Sequence, residues 1–156
     1  MTENTDTLRV NSIIKHFILR DYLPTWASVL GKYHNMLNYF DCYAGPGKYY
    51  YKEQPVDGSP VIAVKEFKKL IEGDRRNKPT KINLLFIEKD DRQRKKLEDE
   101  LKNVDKIPLG LIIKTKNDIP EKLLEDIIRD KKIHSPSFFF IDPYGHPHLQ
   151  GRSATK

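Results

Sequence analysis

Four short apolar runs recur along the chain, each of strand length and each closed by an acid or amide, with room for one helix between neighbours. They are residues 37–43, which hold Tyr39, Phe40 and Asp41, then 82–87 before Glu88, 109–113 before Asn117 and Asp118, and 137–141 before Asp142. The second, Ile82-Asn83-Leu84-Leu85-Phe86-Ile87, is almost unbroken, as expected of a parallel strand covered on both faces. Helical patterns fill the intervals. Ser59 reads as an N-cap and Pro60 as the first helical residue of a helix that carries Val61, Ala63, Val64, Phe67, Leu70 and Ile71 to about Glu72. Asp90 or Asp91 caps a charged helix to about Lys102 that buries Leu97 and Leu101, and Pro120 opens a helix through Leu123, Leu124, Ile127 and Ile128. This alternation predicts an α/β fold, a Rossmann-like doubly wound parallel sheet of at least four strands. Right-handed crossovers gather the strand C-termini on one edge, where such sheets bind ligands. Asp41, Glu88, Asp118 and Asp142 all fall there.

Ahead of the first strand lies a helical lead, residues 10–33, after a loose polar stretch, 1–9. Its spacing predicts one helix over 11–23, with Asn11 or Ser12 as cap, then a break at Pro24-Thr25 and a second piece over 26–30 ending at Gly31. Lys15 and His16 sit on the first piece, where the plain reading is a solvated lysine beside a half-buried histidine. After the first strand, Ala44-Gly45-Pro46-Gly47 suits close approach of a ligand to the backbone, or simply a turn. The aromatic-basic stretch Lys48-Tyr49-Tyr50-Tyr51-Lys52 reads as a loop that either stacks bases or forms a lid on its own domain. The tail, 146–156, is irregular. Doubly wound sheets usually carry roughly five to seven strands, so a C-terminally truncated sheet is one expectation.

Several chemistries are excluded. The glycine loop lacks the upstream glycine and the hydroxyl after lysine of a Walker loop, and Tyr50 stands where a dinucleotide motif carries its third glycine. A nicotinamide-dependent oxidoreductase is therefore disfavoured. The single cysteine, Cys42, permits no disulfide within the chain and no cysteine-based metal cluster. The five histidines have no compelling metal spacing, so no metal site is expected. No signal peptide or membrane span is apparent, which makes the cytoplasm the default compartment. With 28 basic against 22 acidic residues the formal charge is +6, compatible with RNA or DNA as partner and equally with a solvated surface of interleaved charges. An acid at the second strand end suits ribose hydroxyls, which points Glu88 at an adenosine-containing ligand or, alternatively, at a helix dipole. Asp142-Pro143-Tyr144 suits an exocyclic amine held by a carboxylate, with a base stacked on the aromatic ring.

Taken together, Ile14-Lys15-His16-Phe17-Ile18-Leu19, Trp26, Tyr39 to Gly47, Asp57-Gly58-Ser59-Pro60, Phe86 to Asp90 and Phe140 to Gly145 resemble the three-Cys-motif partner protein family, TcmP. That family is similar to class I S-adenosylmethionine-dependent methyltransferases, and the order of motifs is similar to that of bacterial enzymes methylating adenine N6 in large-subunit ribosomal RNA. The resemblance spans about residues 11–145 and implies one methyltransferase-like domain, 1–145, with a Rossmann-like core over 37–145. It implies S-adenosyl-L-methionine as cofactor. Asp41, Ala44, Gly45 and Gly47 would surround its methionine part and Lys15 would reach its carboxylate. Glu88 would hold the ribose, and Asp118 (or Asn117) would sit near the adenine. Asp142, Pro143 and Tyr144 match the motif that orients a target amine. Tyr43 stands where many methyltransferases carry glycine. The function implied is methyl transfer to an exocyclic amine, an adenine in nucleic acid; the alternative is a non-catalytic or truncated methyltransferase-like binding module. A cysteine-motif partner protein is implied by the family name.

Overall fold

The computed structural model describes residues 10–74, 76–130 and 133–143. The polar lead 1–9, Tyr144, Gly145 and the tail 146–156 lie outside the described residues. Chain order is α1 (Val10–Leu30), β1 (Met36–Asp41), β2 (Lys48–Tyr51), β3 (Gln54–Asp57), α2 (Ser59–Glu72), β4 (Lys81–Ile87), α3 (Asp91–Lys102), β5 (Leu111–Lys116), α4 (Pro120–Arg129) and β6 (Ser137–Phe140). Four strands form one parallel sheet in the order β5-β4-β1-β6, the doubly wound arrangement expected from the alternation.

Pleating divides the sheet into two unlike faces. Tyr39, Phe86 and Phe138 point to the first face, where Tyr39 packs edge-on against Phe67 of α2 and lies parallel to Phe138. Trp26 of α1 closes the cluster against Phe67 and Phe138, and Leu97 and Leu101 of α3 complete the core. Burying side chains of this size stabilises by roughly 2 kcal/mol each, so this layer holds the fold. On the second face Phe40 stacks on Phe139, with centroids 4.6 Å apart, and α4 covers only part of the surface. Register is pinned there by a polar ladder across three strands. Asn83 donates to Asn38 at 2.9 Å, and Asn38 donates to the Ser137 hydroxyl at 3.2 Å.

Three expectations are corrected. α1 is one continuous helix through Pro24, because Leu19, Leu23 and Ala27 form a single buried stripe on both sides of it. Packing of that stripe outweighs the lost N–H donor. The 48–52 stretch is no loop but the first arm of an antiparallel hairpin, β2–β3. Its two-residue turn places Lys52 (φ 47°) and Glu53 (φ 63°) in the left-handed region, the geometry that matches strand twist. Finally, the third strand begins at Leu111, since Leu109 is exposed and the Leu111 N–H bonds back to Pro108 in a turn. Among the described residues no helix is long and apolar enough to cross a membrane.

Candidate functional site

The chain leaves β1 through α2 to reach β4 on one side, and returns from β5 through α4 to β6 on the other. The order therefore reverses beside β1, and a crevice opens at the C-terminal ends of β1 and β6. Three strand-end acids are buried here: Asp41 at 0% exposure, Glu88 at 1% and Asp142 at 6%. Each has a different partner. Glu88 accepts from the Gly45 N–H through Oε2 (2.9 Å) and from the Asp90 N–H through Oε1 (2.8 Å). Asp142 accepts from Lys15 Nζ at 2.6 Å, which links the lead helix to the end of the fourth strand.

Asp41 is the least satisfied of the three. Its Oδ1 accepts from the Tyr43 N–H at 3.3 Å, and the Ser59 hydroxyl also bonds the carboxylate. Its Oδ2 is buried with no hydrogen-bond partner among the described residues. Loss of water pushes its pKa up to about 7; the bonds from Ser59 and Tyr43 oppose this, and the charges of Asp142 and Glu88 add to it. The Ser59 contact also corrects the expected cap. Gly58 is the N-cap of α2 and Ser59 its first residue, with its hydroxyl turned to Asp41.

The glycine loop runs into the β2–β3 hairpin rather than a helix. Gly45 (φ 65°) and Gly47 (φ 80°) need left-handed backbone, and both are closed from inside. A Cβ on Gly45 would stand 2.1 Å from the Tyr49 hydroxyl, and one on Gly47 2.8 Å from Leu97 Cδ1. Ala44 and Pro46 are buried beside them. Backbone conformation and packing each call for small residues in this loop. Nothing in the spacing of Gly-Pro-Gly announces Tyr49 as the group above it.

Asp118 stands apart. It pairs with Lys116 at 2.7 Å and accepts from the Ile119 N–H, which hold its carboxyl below the usual range. Asn117 is closer to the cluster, donating to the backbone carbonyls of Glu88 and Lys89, both at 2.9 Å. Tyr43 crosses from the loop to α4, where its hydroxyl donates to Glu121 at 2.5 Å. The Cys42 thiol is pushed up to about 12, chiefly by burial, and so is no nucleophile near neutral pH. Pro143 is half-buried next to Asp142, and Tyr144 lies outside the described residues. Among the described residues no group of His, Cys, Asp and Glu side chains is arranged to hold a metal. The chain matches no family model and no curated protein.

Chemically, the arrangement offers a buried acceptor lacking a donor, a second carboxylate charged against a lysine, and a third carboxylate bracing the loop between them. The first fits a ligand cation. The second fits a neutral N–H donor brought in from the crevice.

Proposed function

We propose that the domain binds S-adenosylmethionine at the C-terminal edge of the sheet, in the crevice beside β1, and directs its methyl group to an exocyclic amine, an adenine of RNA or DNA. The observation that carries this reading is the unpartnered Oδ2 of Asp41, whose carboxyl feels the charge of Asp142 in the Lys15–Asp142 pair. An ammonium such as that of the cofactor's methionine part supplies both the donor and the charge that Asp41 lacks. Lys15 has three donors, enough to hold Asp142 and a ligand carboxylate together. When bound, the cofactor would supply an electrophilic methyl on a sulfonium: the S–CH3 bond would break as the amine nitrogen takes the methyl, S-adenosylhomocysteine would leave, and the nitrogen's surplus proton would pass to solvent. Asp142, charged beside Lys15, accepts an N–H of the target amine and aims its nitrogen. Alignment and electrostatics then lower the barrier, and no covalent enzyme intermediate is needed.

Glu88 has both carboxylate oxygens on backbone amides and Tyr49 fills the space over Gly45, which favours a second reading, a non-catalytic methyltransferase-like module. Calorimetric titration with S-adenosylmethionine and S-adenosylhomocysteine separates the two. Binding heat is expected from the methyltransferase reading, and none up to millimolar ligand from the module. Asp142→Asn is expected to keep cofactor binding and lose methyl transfer to an adenine-containing oligonucleotide. Undiminished transfer in that variant would remove Asp142 from its role.

A further inference from the structure

A groove of about 360 Å³ runs between α1, β3 and α2, beside the crevice but outside it. Its floor is apolar, built by Ile13, Val56 and Ile62, and its rim carries the cations Arg20, Lys65 and Lys69. Phe17 lines it at 51% exposure, with the Arg20 guanidinium 4.8 Å from its ring centroid. Each rim cation has a nearby acid: Lys65 meets Asp57 at 2.5 Å, Lys69 meets Glu66 at 2.7 Å, and Arg20 meets Asp21 at 3.2 Å. These lysines and Arg20 are exposed, and exposed pairs contribute little, so a phosphate can displace the carboxylates.

At its inner end the groove is lined by His16, which is 9% exposed. His16 hydrogen-bonds the Asp57 backbone carbonyl, and its Nδ1 is buried without a partner. The donor is therefore Nε2–H, which leaves Nδ1 as an acceptor awaiting an N–H. Burial holds the ring in its neutral form, which keeps that acceptor available. His16 follows Lys15 directly in α1, and the charges of Asp142 and Lys15 both act on its ring, which puts this end of the groove near that pair.

We propose that this groove binds single-stranded nucleic acid next to the target base. A flanking nucleobase lies on the apolar floor against Phe17, beside the His16 ring, and its phosphates meet Lys65, Lys69 and Arg20. Apolar floor, half-exposed ring and cationic rim together match a base with its phosphates, where a simple anion would use only the rim. The place of the groove beside the transfer point rests on the methyltransferase reading; the binding itself does not.

Fluorescence anisotropy with labelled RNA and DNA single strands of roughly 12 nucleotides tests it without cofactor. Binding is expected to weaken between about 50 and 200 mM salt. Lys65→Glu/Lys69→Glu is expected to cost at least about tenfold in affinity and to flatten the salt slope by roughly 0.7 per lost phosphate contact. Phe17→Ala is expected to cost about tenfold through lost stacking. Arg20→Gln serves as the milder variant should the double substitution unfold. Preference for RNA or for DNA supports the groove equally and names its source. No binding by the wild-type protein, or variants that bind as it does, overturns the proposal. Oligonucleotide binding with no cofactor heat leaves the groove and overturns the methyltransferase reading; cofactor heat without oligonucleotide binding does the reverse.

Discussion

A carboxyl group stripped of water, with one oxygen lacking a donor, holds its proton, and Asp41 is such a group. Its pKa stands at about 7 in the folded chain against an ordinary 3.8. Folding therefore binds a proton at this site, and the sign follows from linkage. Below about pH 4 the group is protonated in both states and its burial is fully tolerated. As pH rises from about 4 to about 7 the unfolded chain releases the proton first, so stability falls, by up to about 4 kcal/mol at ~1.4 kcal/mol per pH unit. Urea denaturation between pH 5 and pH 8 is expected to show this decline, and Asp41→Asn to flatten it and gain about 1–3 kcal/mol at pH 8. Equal slopes in the two proteins would show that Asp41 is already charged at pH 5. The same orphaned oxygen makes cofactor affinity rise through pH 7 under the proposed reading, because an ammonium is held best by the ionised form.

Elements were predictable from sequence where one signal dominated. The runs before Glu88 and Asp142 are apolar enough to be strands in any context, and Asp90 accepts from the Arg92 and Gln93 N–H groups as an N-cap should. Sequence and structure part where local chemistry and packing disagree. Pro24 marks a break by its own chemistry, yet the stripe from Ser12 to Ala27 keeps α1 intact. The hairpin leaves no mark in the sequence because its turn carries Lys52 and Glu53 where such turns favour Asn and Gly. Three strand-end acids were predictable by position alone, whereas the contacts of Ser59 with Asp41 and of Tyr49 with Gly45 join residues whose pairing no periodicity encodes. The hairpin turn is testable as an element. Lys52→Asn/Glu53→Gly relieves two left-handed L-residues at a cost of the Lys52–Tyr51 ring contact, 5.4 Å, so a gain of about 1 kcal/mol is expected. Thermal denaturation is expected to show a rise of about 3 °C; an unchanged or lower midpoint would mean the turn is not strained.

Across the whole molecule the two sheet faces are unequally finished. The first carries α1, α2 and α3 over a continuous core, while the second has α4 alone among the described residues. The Pro136 and Phe140 carbonyls accept from the Asn38 and Cys42 N–H groups of the β1 side. By the alternation of a parallel ladder, the backbone groups of Ser137 and Phe139 turn outward to an edge with no further strand among the described residues. Between that edge and α4 lies an apolar groove of about 750 Å³, lined by Leu124, Ile127, Ile128, Phe139 and Ile141. An open apolar surface of this kind binds a hydrophobic dye such as anilinonaphthalene sulfonate in the folded state, before any unfolding. Ile128 is 74% exposed, so Ile128→Glu removes little packing and is expected to leave stability within about 0.5 kcal/mol while placing a charge at the groove. Native-state dye fluorescence is therefore expected to fall in the variant with the urea midpoint unchanged. Dye binding that persists undiminished would place the open surface elsewhere, and a lowered midpoint would show that Ile128 holds α4 on the sheet.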